Sequence, residues 1–198
     1  MAVHTFCHAI PDYWYQMGVM LAATDSLDWL ARVTDKTPAE LTAALGTKLT
    51  PPSAALFMPY LSGERTPNND AAIRSSFTGI SAQTSRNDLT KAVLEGLAFG
   101  LKDSFEALVA SGACVDSFIA IGGGAHSDYW LKLIATVLNL PLHIPEQGEF
   151  GAALGAARLG MVAAIGKVPS DVMTPPKIKR VIQPEQALTK DFEVTSPR

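Results

Sequence analysis

Cysteine is scarce in this chain. The two present, Cys7 and Cys114, stand more than a hundred residues apart and in no metal-type spacing, so they read as buried thiols in a reducing cytoplasm. An excess of positive charge is missing as well. Sixteen basic residues face 19 acidic ones, for a net charge of -3 and a pI near 5.8, with no basic stripe of the kind that nucleic acid requires. Met1 to Ile10 carries neither a basic start nor a long apolar run, which argues against a signal peptide, a membrane span and a membrane partner. No internal repeat is visible. What remains is 198 residues, 47% of them hydrophobic, enough for one ordinary core.

Apolar Met17, Met20, Leu21, Leu27, Leu30 and Ala31 recur at helical spacing and predict an amphipathic helix over 17–33. Thr37, Pro38 and Glu40 make a capping-box start for a short helix that Gly46 stops. Residues 54–58 read as a buried strand entering a polar loop over 59–69, long enough to serve a site. A strand over 76–80 precedes a long helix over 86–111, opened by Ser85 with Asp88 and closed by Gly112. Gly96 and Gly100 inside it each cost about 1 kcal/mol against alanine, which makes sense if another element comes close on that face.

Then come a strand over 115–121, a glycine turn at 122–124, a helix over 127–138, a strand over 142–144 and a helix over 150–165. Such alternation predicts an α/β fold with parallel neighbouring strands and ligand-facing loops at their carboxyl ends. Residues 1–166 read as the domain. From Val168 onward, five prolines interrupt a charged tail expected to be peripheral rather than core.

The sharpest local feature is the run from Ile119 to Ser127, where Gly122, Gly123, Gly124 and Ala125 keep side chains off a strand-to-helix turn. A helix amino terminus with free amides suits a phosphate or the sugar edge of a nucleotide. The run has neither the Gly-x-Gly-x-x-Gly order of dinucleotide folds nor the Gly-Lys-Ser/Thr of a P-loop, so a purely structural turn stays open. His4 and His8 have helical metal-ligand spacing, but Thr5 stands where a catalytic glutamate would be, and the pair reads as incidental. No metal site is assigned. Asp12, Asp25, Asp28 and Asp128 are possible bases by chemistry alone, without triad context. Glu64 and Arg65 could present a charge pair to a substrate cleft, although adjacent charges in a polar loop are usually solvated.

Three segments taken in order, Pro59 to Pro67, Phe77 to Ile80, and Asp88-Leu89 with Ala92 to Gly96, resemble the FGGY family of carbohydrate kinases. Gly122 to Trp130 is similar to that family's adenosine-binding segment, and Gly151 to Ala157 to its last domain helix. Ser62 to Pro67 and the opening His4 to Ala9 look most like the xylulokinase group. The resemblance implies an actin-like, ribonuclease-H-like ATPase domain, partial, with a mixed sheet flanked by helices. It implies ATP with Mg2+ as the nucleotide, and a sugar, most simply D-xylulose, bound only with an amino-terminal domain.

By position, Gly124 and Asp128 match residues that contact adenosine, with Thr24 and Asp28 on a second edge of the pocket. Thr24 and Asp28 depart from the family's usual small residue and glutamine, and a carboxylate accepts hydrogen bonds without donating them. The catalytic aspartate and the phosphate-cradling segment would precede Met1, so no catalytic residue is assigned and the chain alone is expected to be inactive. Self-association is expected through surface that the first domain would cover. Glycerol, ribulose or gluconate remain possible sugars. A degenerate binding module and a dinucleotide-binding domain are the rival classes.

Overall fold

The computed structural model describes residues 3–166 and 168–195. The chain opens with an antiparallel hairpin, β1 (His4–Cys7) and β2 (Trp14–Met17), with His4 opposite Met17 and Cys7 opposite Trp14. Its turn places Asp12 at a φ of 67°. His4 is therefore on a strand, and His8 Nδ1 accepts a hydrogen bond from the Ile10 amide at 3.0 Å. Little else covers the hairpin, and Phe6, Tyr13, Trp14 and Tyr15 are exposed.

Both cysteines are free and exposed, Cys7 at the end of β1 and Cys114 just after the turn at Gly112. This corrects the expectation of buried thiols. The apolar character of cysteine did not decide the matter because neither lies on a face that packs.

Helix α1 (Ala23–Val33) begins six residues later than its apolar spacing predicts. The Val19 amide donates to Thr66 Oγ1 at 3.0 Å and the Leu21 amide to Glu64 Oε1 at 3.1 Å. Amides committed to a distant loop hold residues 18–22 as a non-helical strap. Helix α2 (Pro38–Ala43) has the full capping box: Thr37 Oγ1 accepts from the Glu40 amide, and the Glu40 carboxylate accepts from the Thr37 amide.

β3 (Leu56–Met58) and β4 (Ser76–Thr78) pair antiparallel, with Phe57 opposite Phe77 and the ring centroids 4.7 Å apart. Helix α3 (Arg86–Ala110) is the spine of the molecule, with Leu94, Leu97 and Ala98 fully buried. Ser85 and Asp88 form its capping box, and Gly112 follows its end at a φ of 99°. The expected close approach occurs. A methyl on Gly96 would run into the Phe57 carbonyl, and one on Gly100 would lie 2.7 Å from Met20 Cε.

β5 (Phe118–Ile119) runs parallel to β6 (Leu142–Pro145), as the alternation predicts, and helix α4 (Asp128–Leu138) joins them. Asn139 ends α4 in the left-handed conformation. Helix α5 (Gly151–Ile165) and the short α6 (Pro169–Val172) follow.

The proline-interrupted stretch is largely exposed, yet it is tied to the fold at two places. β7 (Ile178–Ile182) pairs antiparallel with β6, giving the order β5-β6-β7. Helix α7 (Thr189–Thr195) inserts Phe192, 1% exposed, into the main core against Phe99, with centroids 6.3 Å apart. Prolines that break helices leave a β-strand and one buried aromatic unaffected. The expected mixed sheet is this three-stranded one, and the other strands form two separate hairpins. α1, α2, α3, α4 and β3 share the main core with Phe192, while Leu131, Ala135, Leu142 and Ile144 form a smaller one under the mixed sheet.

Candidate functional site

The glycine turn is built residue by residue. After β5, Gly122 adopts a φ of 86° and a ψ of -179°, a region open only to glycine. A tight helical turn over Gly123–His126 leads to Ser127, whose Oγ accepts from the Trp130 amide at 3.3 Å and caps α4. Gly124 comes close to the Trp130 indole: a methyl there would stand 2.5 Å from Trp130 Cζ3. Nothing lies within 4 Å of a methyl placed on Gly123.

This turn is one wall of a cleft of about 590 Å³ that also receives Ser127, Asp128 and Tyr129. Thr24, Leu27 and Asp28 of α1 line it as well, together with Pro38, Thr42 and Thr47 from and beyond α2. The size falls in the range of small-ligand pockets. Its lining combines apolar walls with hydroxyls, two exposed carboxylates and the amino end of an 11-residue helix, whose dipole favours negative charge.

Asp128 stands at that helix end, paired with Arg180 of β7. The hydrogen bond from Arg180, with its charge, holds the Asp128 carboxyl below the usual carboxylate range. The strand that pins β6 thus also supplies the counter-ion of a cleft residue.

Five of the expected residues therefore meet in one cleft: Thr24, Asp28, Gly123, Gly124 and Asp128. Gly122 and Ala125 instead line a smaller recess of about 290 Å³ with Glu146, Lys179 and Arg180. Both also border an apolar hollow of about 560 Å³ behind the turn, against Phe105 and Leu108.

Glu64 and Arg65 part company. Arg65 is exposed, whereas Glu64 is 2% exposed, its Oε1 accepting from the amides of Leu21 at 3.1 Å and Arg65 at 2.8 Å. Burial pushes the Glu64 carboxyl up, with those two bonds opposing. Close by on α3, Asp103 is pushed up to about 6 by burial and by the charge of Glu106, against Lys102. Burial raises the Tyr60 phenol, and the Asp103 and Glu64 charges add to it, against a hydrogen bond with Asn68.

The wall from α2 was not anticipated. The Thr37 capping box locates that helix, but its short sequence carries no sign of the neighbour it faces. His126, Ser127, Tyr129 and Trp130 also line the cleft, and their position inside the glycine-turn motif is the signal that could have named them.

Residues 1–164 match the model of the C-terminal domain of the FGGY family of carbohydrate kinases. The xylulose kinase of Escherichia coli (strain K12) is 42% identical over 165 residues, 82% of this chain and 34% of that protein. The Bacillus subtilis (strain 168) xylulose kinase is 39% identical over 83% of this chain and 32% of its own length. A crystal structure of a "xyloylose kinase" from Brucella ovis superposes with a TM-score of 0.92 at 51% identity, covering 98% of this chain and 40% of that one. The ligand-bound xylulose kinase of Lactobacillus acidophilus superposes at 0.79 with 26% identity, covering 96% of this chain and 40% of that one. The chain spans about a third of the length of the curated relatives it matches. Its fold is that of the actin-like ATPase domains of sugar kinases.

Proposed function

The chain belongs to the FGGY family of carbohydrate kinases, and from that premise we propose that it is the nucleotide-holding part of an enzyme that transfers the γ-phosphate of ATP to D-xylulose. The observation that carries the reading is the single cleft that collects Thr24, Asp28, Gly123, Gly124 and Asp128. In this reading the bare backbone of Gly123 and Gly124 lets a nucleoside lie against the turn. Thr24 and Asp28 accept hydrogen bonds from its opposite edge, and the amino end of α4 points at negative charge. Holding the donor rigidly is the larger part of catalysis in phosphoryl transfer, where the protein supplies position and electrostatics.

In the transfer itself, the sugar hydroxyl oxygen bonds to the γ-phosphorus. The bond from phosphorus to the β,γ-bridging oxygen breaks, ADP leaves, and the hydroxyl proton passes to a carboxylate supplied by another part of the kinase. Among the described residues no group of three or more His, Cys, Asp or Glu side chains is arranged to hold a metal ion. Mg2+, which neutralises phosphate charge in such reactions, is accordingly assigned to no residue of this chain.

Xylulose kinases recur among the relatives, which supports D-xylulose as the acceptor. The sugar itself would be held together with the rest of the kinase. Helix α5 supports that: it is apolar along most of its 15 residues yet buries none of them, and β5 is paired on one edge only. We expect the 198-residue chain by itself to associate with further copies through this face, which light scattering would reveal. No helix among the described residues is long and apolar enough to cross a membrane, and a cytoplasmic location fits this reading.

The test is a calorimetric titration of the purified chain with ADP and Mg2+, with NAD as control. Saturable ADP binding without NAD binding supports the reading, and the reverse selectivity refutes it. A companion assay of xylulose-dependent ADP formation should give no turnover with this chain alone and turnover once the remaining kinase segment is joined to it.

A further inference from the structure

Residues 18–22 are a strap that delivers the chain from β2 to α1, and they are stapled to the 64–66 loop. Besides the bonds to Val19 and Leu21 already given, the Thr66 amide donates to the Val19 carbonyl at 3.1 Å. Ser104 of α3 donates to the Thr66 carbonyl at 3.3 Å, and Gly18 lies so near Ser104 that a methyl on it would be 3.2 Å from Ser104 Cβ. Glu64 and Thr66 are 2% and 1% exposed, so the side-chain ends of this staple sit away from water while the strap itself is part-buried, and removing a buried acceptor leaves its donor to be satisfied elsewhere at a cost.

What the strap delivers is one wall of the cleft. α1 starts one residue after Ala22, whose side chain makes no capping bond. Its start is therefore fixed from upstream rather than by a cap of its own. Thr24 and Asp28, within its first six residues, line the same cleft as Gly123 and Gly124.

We propose that Glu64 is a positioning residue for the nucleotide cleft: its buried carboxylate, through the Leu21 amide, sets where α1 begins and so where Thr24 and Asp28 stand opposite the glycine turn. This rests on the nucleotide reading of the cleft. Glu64 touches no ligand in it. The residue thus gives the loop motif around Ser62 to Pro67 a task on the nucleotide side, distinct from the substrate-side role expected of its charges.

The experiment compares wild type with Glu64→Ala, which removes the acceptor, and Glu64→Gln, which keeps an acceptor oxygen and removes the charge. Phe192→Leu serves as a variant destabilised far along the chain from the strap. Hydrogen exchange at Leu21 and the first turn of α1 reads the staple, and calorimetry reads ADP affinity. Glu64→Ala should speed Leu21 exchange and weaken ADP binding, each by about tenfold, the scale of one lost buried hydrogen bond. Glu64→Gln should stay within about threefold of wild type in both, and Phe192→Leu should leave ADP affinity unchanged.

Unchanged Leu21 exchange in Glu64→Ala overturns the proposal. Faster exchange with unchanged ADP affinity overturns it equally, because the staple would then transmit nothing. A wild type that binds no ADP is a failure of the nucleotide reading, and the exchange measurement then decides alone whether Glu64 sets the start of α1. Should Glu64→Ala not fold, Glu64→Asp, which withdraws the acceptor by one methylene, carries the same expectations.

Discussion

Replacing Gly124 by alanine puts a methyl carbon 2.5 Å from Trp130 Cζ3 and 3.2 Å from Cε3. Trp130 is 6% exposed and part of the main core, so moving its ring disturbs that packing. Either the turn or the indole must move by about 1 Å to restore ordinary contact, and overpacking of this kind costs about 1–3 kcal/mol. For a domain of this length the melting temperature falls by about 2–4 °C per kcal/mol. Gly123→Ala is the matched control. A methyl there meets nothing within 4 Å, and Gly123 is not among the residues at positive φ, so alanine should be neutral or stabilise by up to about 1 kcal/mol through the unfolded chain. Because Trp130 and Gly124 both line the cleft, Gly124→Ala should also weaken ADP binding by about tenfold, equivalent to about 1.4 kcal/mol. Urea unfolding followed by tryptophan fluorescence and calorimetric titration with ADP measure the two effects. Equal stability of the two variants, within about 0.5 kcal/mol, would refute the close-contact argument whatever the binding result.

Glu95 is fully buried, accepts from the Ser53 amide at 3.0 Å and stands 3.6 Å from Lys91 Nζ; Glu95→Ala should cost about 3 kcal/mol in urea unfolding, and a loss below about 1 kcal/mol would contradict its anchoring role. Asp103 has its carboxyl raised from 3.8 to about 6, so the folded state holds the proton more tightly and this group's contribution to stability falls as pH rises through that window. Asp103→Asn should accordingly gain about 1 kcal/mol relative to wild type at pH 7.5 over its value at pH 4, after allowing for solvent screening; the same difference at both pH values would count against it. Arg180→Ala should let the Asp128 carboxyl rise toward its usual value, read by an NMR titration, while stability changes by no more than about 1 kcal/mol because both partners are exposed. An unmoved Asp128 titration would show that Arg180 does not set it.

Local chemistry made much of the fold legible. Thr37 with Glu40 and Ser85 with Asp88 marked two helix starts within a residue, and Gly96 and Gly100 announced close approach before any partner was known. What stayed hidden depends on residues far apart in the chain. The helical spacing of Met17, Met20 and Leu21 flows into that of α1, and only Glu64 and Thr66, more than 40 positions away, cut the helix back to Ala23. β7 lay among prolines, and Phe192 sat alone in a charged stretch, so neither showed the periodicity that exposes a packed face. The same division holds at the cleft. The glycine turn is a local motif and could be read, while the wall from α2 exists only because two helices meet there.

Phe192 also bears on when the molecule can fold during synthesis. Its ring fills a place beside Phe99 in the main core, yet it is made long after α3, near the end of the chain. At about 5–20 residues per second, the roughly hundred residues between α3's first turn and Phe192 take about 5–20 s to emerge. For that interval the side of Phe99 that meets Phe192 stays uncovered, while α1, α2, β3 and α4 are already available to pack on the rest of α3. The contact between Phe99 and Phe192 is therefore among the last of the main core to close during synthesis, and the aromatic surface it covers is the last to leave water.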